Sequence, residues 1–91
     1  MTRSDILDAA EVCVCTDREN QYGSPENNFS VIADFWSAYK GVDFSPVDVS
    51  MMMALLKIAR ISSGSKTIDS FVDLAGYAAC GGELSASMSA V

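Results

Sequence analysis

Residues 47–61 read VDVSMMMALLKIARI, and 11 of these 15 are apolar. The run shows no period-two alternation and is too long for a buried strand, so it reads as a helix. Ser45-Pro46 stands just before it and Gly64 shortly after it, which supplies a capping residue, a proline at the first helical position and a glycine stop. At 100° per residue Ser50, Lys57 and Arg60 fall within an arc of about 80°. Asp48 sits in the first turn, where a carboxylate complements the helix dipole. The stretch therefore predicts a helix over 46–62 that is buried nearly all round except for one narrow basic stripe. Met51, Met52 and Met53 point in three directions and are expected to fill gaps in the core and in an interface.

The neighbouring segments carry the same helical signals. Ser4 is expected to cap a helix over about 4–15, with Ile6, Ala10 and Cys13 on one face and Leu7 and Val14 beside them. Thr16–Gly23 is the most polar stretch and reads as a loop. Ser24-Pro25 opens a helix over 25–40, in which Phe29, Ile32, Ala33, Trp36 and Tyr39 recur at helical spacing and Gly41 is the stop. Phe29 and Trp36 are expected in the core. A fourth helix is predicted over about 68–85, with residues 86–91 fraying. The expectation is an all-α fold, a compact four-helix arrangement forming one domain over 1–91.

Composition narrows the function classes. The 91 residues hold 12 acidic and 6 basic side chains and no histidine, for a net charge of −6, and 49% of them are hydrophobic. A disordered acidic tail would be poor in apolar residues. Six cations spread over the chain form no basic face for direct contact with duplex nucleic acid. Without histidine there is no imidazole metal ligand, no Ser-His-Asp or Cys-His pair and no histidine general base. A domain this small hides roughly 60–70% of its unfolded surface, so the apolar surplus predicts a homo-oligomer, formed through the third helix. Cys13, Cys15 and Cys80 are an odd set without disulfide or zinc spacing and are expected as small buried hydrophobes. The charged start Met1–Asp8 and the short apolar run Met51–Leu56 predict no leader, no membrane partner and a cytoplasmic location.

Two opposed stripes mark a candidate site. Asp69, Asp73, Gly76, Cys80 and Glu83 lie within about 80° on the fourth helix, bordered by Tyr77. The reverse face, with Phe71, Ala75, Ala78 and Gly82, is small enough for close helix contact. In an antiparallel hairpin the acidic stripe meets Lys57 and Arg60. One outcome is ion pairing, Arg60 with Asp73 or Lys57 with Asp69. The other is a polar pocket in which Lys57 and Arg60 hold phosphates while Asp48, Asp69 and Asp73 hold Mg²⁺. Upstream, Arg18 with Gly23, Ser24 and the helix start after Pro25 is suited to an anion, and Tyr22 to stacking on a base. The candidate ligand set is Arg18, Tyr22, Gly23, Ser24, Lys57, Arg60 and Tyr77; no catalytic residue is assigned, and Mg²⁺ is the only cofactor the carboxylates point to.

Asp17-Arg18, Tyr22-Gly23-Ser24-Pro25 and Asn28-Phe29 resemble the opening pattern of a family of small phage and prophage proteins of uncharacterised function. Trp36-Ser37-Ala38-Tyr39, Leu55-Leu56-Lys57-Ile58-Ala59-Arg60 and Asp69-Ser70-Phe71-Val72-Asp73-Leu74-Ala75-Gly76-Tyr77 continue that likeness in order. More distantly, the layout is similar to the all-α MazG-like nucleoside-triphosphate pyrophosphohydrolases and dimeric dUTPase relatives. That resemblance implies a helical oligomer and attack of a Mg²⁺-activated water on a phosphate. The enzymes hold metal through E-x-x-E and E-x-x-D pairs. Here Glu26 is followed three residues later by Phe29, and neither pair occurs. Three readings follow. The first is a phage-encoded, non-catalytic binder of a phosphorylated nucleotide-type ligand, sequestering a host defence signal. The second is a Mg²⁺-dependent nucleoside-triphosphate pyrophosphohydrolase. The third is an acidic counter-defence protein that binds and inhibits a host nucleic-acid enzyme.

Overall fold

The computed structural model describes residues 1–17, 20, 23–64 and 67–89, and among them there are four α-helices and no strand. Helix α1 spans Arg3–Val12 and continues into a π-helical turn, Cys13–Asp17. Helices α2, α3 and α4 span Pro25–Lys40, Pro46–Ser62 and Thr67–Ser89. Among the described residues no helix is long and apolar enough to cross a membrane.

The helix starts follow side-chain chemistry. The Asp48 backbone N–H donates to Ser45 Oγ at 3.1 Å, and the Ser45 N–H donates to Asp48 Oδ2 at 2.9 Å. This reciprocal box satisfies two backbone donors that the first turn leaves without partners. Helix α1 uses the same device two residues earlier than the sequence indicates. Thr2 caps it, exchanging bonds of 3.0 and 3.2 Å with Asp5, so Ser4 lies inside the first turn. The carboxylate three residues beyond Thr2 makes the difference, because Ser4 has only Leu7 at that spacing. At the other end α4 stays helical through Ser89, past the fraying expected from residue 86. Leu84, 5% exposed, anchors that last stretch to the core.

Helices α3 and α4 form the main contact and run antiparallel, since Lys57 pairs with Asp73 while Ser50 bonds to Tyr77, further along α4. Phe29 and Ala33 of α2, Val49 of α3, and Cys80 and Leu84 of α4 form the buried centre. Val14, Trp36, Phe44, Met53 and Tyr77 pack around it. Between α2 and α3 the chain turns at Gly41, whose φ of +67° favours glycine. Phe44 then donates its N–H to Ser37 Oγ at 2.8 Å, and its ring meets Trp36 edge-on at 6.1 Å.

The polar stripe of α3 is divided between inside and outside. Ser50 is fully buried and Lys57 is half-buried against α4, as the hairpin expectation has it, while Arg60 is exposed. On the apolar arc Val49 and Ala54 are buried, but Met51, Met52, Leu55, Leu56 and Ile58 are exposed. Ser50 and Lys57 turn inward because they find partners there: Ser50 Oγ donates to the Tyr77 carbonyl, and Lys57 meets a carboxylate. The acidic stripe of α4 is divided in the same way. Gly76 and Cys80 of the supposed acidic stripe are buried, while Phe71, Ala78 and Gly82 of the expected packing face are exposed. Glycine explains this too, because Cβ atoms built at Gly76 and Gly81 would lie 2.8 Å from Val14 Cγ1 and 2.7 Å from Ser50 Oγ. A Cβ at either position would require Val14 or Ser50 to shift, so glycine is what lets these side chains lie against the α4 backbone. Three further side chains depart from expectation: Leu7 and Tyr39 point outward, and Cys15 is exposed where burial was expected.

Candidate functional site

The two charged stripes do meet, but with the pairing crossed. Lys57 Nζ lies 3.1 Å from Asp73 Oδ2, with the two side chains 17% and 23% exposed. Arg60 and Asp69, which the sequence pairs with Asp73 and Lys57, are both exposed and make no ion pair among the described residues. The antiparallel register accounts for this, because Lys57 stands opposite the second turn of α4 and Asp69 belongs to the first.

Tyr77 borders the pair but belongs to the core. Its ring stacks on Phe29 with centroids 6.3 Å apart and planes 30° apart, and its carbonyl accepts from Ser50 Oγ. At the start of α2, one turn before Phe29, Gly23 has φ +83° and the Ser24 carbonyl accepts the Asn28 N–H at 3.0 Å. Arg18 and Tyr22, the remaining members of the candidate ligand set, lie outside the described residues.

The three candidate metal ligands are not gathered. Asp48 is engaged in its capping box, and nine residues of helix, about 14 Å of rise, separate it from Lys57 and therefore from Asp73. Asp69 is exposed at the start of α4. Among the described residues no three His, Cys, Asp or Glu side chains group as a metal ion needs.

The feature that sequence reasoning missed is apolar. On α3 the outward residues Met51, Met52, Leu55, Ile58 and Ala59 carry no charge, and Leu55 is 60% exposed. On α2 a second ridge, Val31, Phe35 and Tyr39, recurs every four residues, with Phe35 73% and Tyr39 87% exposed. A groove of about 240 Å³, lined by Trp36, Tyr39, Lys40, Phe44 and Met52, joins the two ridges. Tyr39 and Met52 belong to both the groove and the ridges, so the surface is continuous. Contiguous exposed apolar side chains mark contact sites more often than scattered ones do. A signal was present in the sequence: the spacing of Met51, Leu55 and Ile58, together with the polar stripe of Ser50 and Lys57 opposite, defines two faces. Which face is inward depends on Gly81, and that is a packing fact.

Residues 5–85 match the domain of unknown function DUF6378. The Gene 55 protein of Mycobacterium phage L5 is 47% identical over 74 residues, which cover 80% of this chain and 47% of the relative. The Gene 55 protein of Mycobacterium phage D29 is 41% identical over 75 residues, 82% of this chain and 50% of the relative. The chain thus spans about half the length of these curated relatives. No solved structure matches it.

Proposed function

The chain belongs to the DUF6378 family, a phage protein family of unknown function, and from that premise we propose that it works by holding a protein partner rather than by turning over a substrate. One observation carries the reading: the continuous, mainly apolar surface formed by α2, α3 and the groove between them, in which Lys40 is the charged lining residue. Aromatic and methionine side chains with few charges are the composition of the buried centre of protein interfaces. Two of the charged groups that chemistry would use are engaged elsewhere, Lys57 with Asp73 and Asp48 with its helix cap. This is the counter-defence reading with its contact moved from charge to apolar surface.

The test is photo-crosslinking in the host cell during phage infection. A photoreactive residue at Leu55 is expected to give protein adducts of discrete mass, and one at Asp8, exposed on α1, none. Absence of adducts from Leu55, Met51 and Phe35 alike would remove the reading.

A second reading has its own observation. Arg60 is an exposed cation without an ion pair among the described residues, one turn from Lys57. That exposed cation supports capture of a phosphorylated nucleotide, held without hydrolysis. Titration calorimetry with ATP and with cyclic dinucleotides should then give a Kd tighter than about 100 µM, roughly −5.5 kcal/mol, and Arg60→Ala should weaken it. If no nucleotide produces heat, this second reading is dropped. The separation of Asp48 from Asp73 gives the pyrophosphohydrolase reading no comparable support.

A further inference from the structure

We infer that the partner on the α2–α3 surface is a second copy of this chain; the inference rests on the protein-contact reading above and names its occupant. The first argument is area. A compact folded monomer of this mass exposes roughly 5,100 Å², whereas this chain exposes 6095 Å². The excess is on the order of the 800 Å² per partner that a standard stable interface buries. Phe35 and Tyr39 on α2 and Met51, Leu55 and Ile58 on α3 are among the large apolar side chains left exposed.

The second argument is the fold's own core. Of the seven buried hydrophobic side chains among the described residues, Ala10, Ala33 and Ala54 are alanines. A core that small contributes little stabilisation by burial at roughly 25 cal/mol per Å², so covering the outer face is part of the chain's stability. Such a cover must be present wherever the chain is made, and in matching amount. Another copy meets that condition without any further component.

The third argument is electrostatic. Two chains of charge −6 repel over most of their surfaces, and α3 between Met51 and Ile58 offers an approach without a carboxylate on its outer face. Two α3 helices related by a two-fold axis near Leu55 run antiparallel and present the same residues to each other, as an isologous interface requires. That direction brings the acidic beginning of α3, with Asp48, toward the basic end of its mate, with Arg60. A parallel alignment would stack like charges and like dipole ends.

The test uses the purified 91-residue chain. Sedimentation equilibrium at tens of micromolar is expected to give a mass of at least twice the 9.7 kDa chain. Leu55→Glu should return it to the single-chain mass with its helical circular dichroism retained, because an unpaired carboxylate buried at the seam weakens association by roughly 100-fold or more. The wild-type Tm should rise with protein concentration, a readout that needs no variant. A wild-type chain that stays at 9.7 kDa with a concentration-independent Tm overturns the inference, as does an oligomer that Leu55→Glu leaves intact. If the purified chain is monomeric yet the Leu55 probe captures a different protein in infected cells, self-pairing falls and the protein-contact reading stands. If both experiments are negative, both fall.

Discussion

Gly81→Val is expected to destabilise the fold by about 3 kcal/mol, at the upper end of overpacking effects, while the same change at Gly82 leaves stability almost unaltered. The two glycines are neighbours on α4 with different surroundings. A Cβ at Gly81 would lie 2.7 Å from Ser50 Oγ and 3.3 Å from Ser50 Cβ, and at Gly82 it would meet nothing within 4 Å. Rotating the Ser50 hydroxyl away relieves the first clash but abandons its bond to the Tyr77 carbonyl. Ser50 is 0% exposed, so an orphaned hydroxyl there costs about 1–3 kcal/mol. The 3.3 Å approach to Cβ remains, and a β-branched side chain adds atoms where α3 already stands. Alanine separates the terms more finely. Gly82→Ala should stabilise by about 0.5–1 kcal/mol through helix propensity alone, whereas at Gly81 the clash outweighs that gain. Ser50→Ala in the Gly81→Ala background removes the clashing oxygen, so the double variant should be more stable than the summed single losses predict. Urea denaturation of the four alanine-series proteins and the two valine variants checks this. Equal losses at positions 81 and 82 would show that Ser50 does not face α4 as described.

The same glycine separates what could be read in the sequence from what could not. Four helices and the Ser45–Asp48 start follow from local chemistry, because a capping box, a Pro at the first position and a helical period each act within one turn. Facing is a different matter. The wheel for α3 holds a narrow polar arc and a broad apolar one, and hydrophobicity alone puts the broad arc inside. The protein turns part of the narrow arc inward as well, since Ser50 and Lys57 find a carbonyl and a carboxylate on α4, and Gly81 lets the helices come close enough for both. Those partners lie over twelve residues away, and no local pattern contains them. The candidate site was legible to the same extent. That an acidic stripe meets a basic one was readable, but the pairing of Lys57 with Asp73 rather than Asp69 depends on a register set by packing. Asp48 was grouped with the others by residue type, while its carboxylate serves the helix cap.

Phe29→Ala should lower stability by about 3–4 kcal/mol, the range for removing a buried aromatic ring, and a domain with about 5–15 kcal/mol in hand feels that as a large fraction. Phe29 is 7% exposed, its ring stacks on Tyr77, and it sits where α2, α3 and α4 converge. Its removal leaves a cavity lined by helices already committed to the Ser50 and Lys57 contacts, so collapse into the space is limited. Phe35, six residues on in the same helix, is 73% exposed, and its loss in a lone chain should fall within about 0.5 kcal/mol. The two differ further in how protein concentration enters. If α2 and α3 cover a second copy, the wild-type unfolding midpoint climbs with concentration, because association draws on the folded state alone. Phe29→Ala then lowers the midpoint by a similar amount in dilute and concentrated samples. Phe35→Ala leaves the dilute value near wild type and flattens the climb. Chemical denaturation at 1 µM and again at 100 µM, concentrations spaced about 2.7 kcal/mol apart in RT ln terms, measures both. A Phe35→Ala protein as unstable as Phe29→Ala at the lower concentration would place Phe35 in the core instead, and the outer face of α2 would cease to be a contact surface.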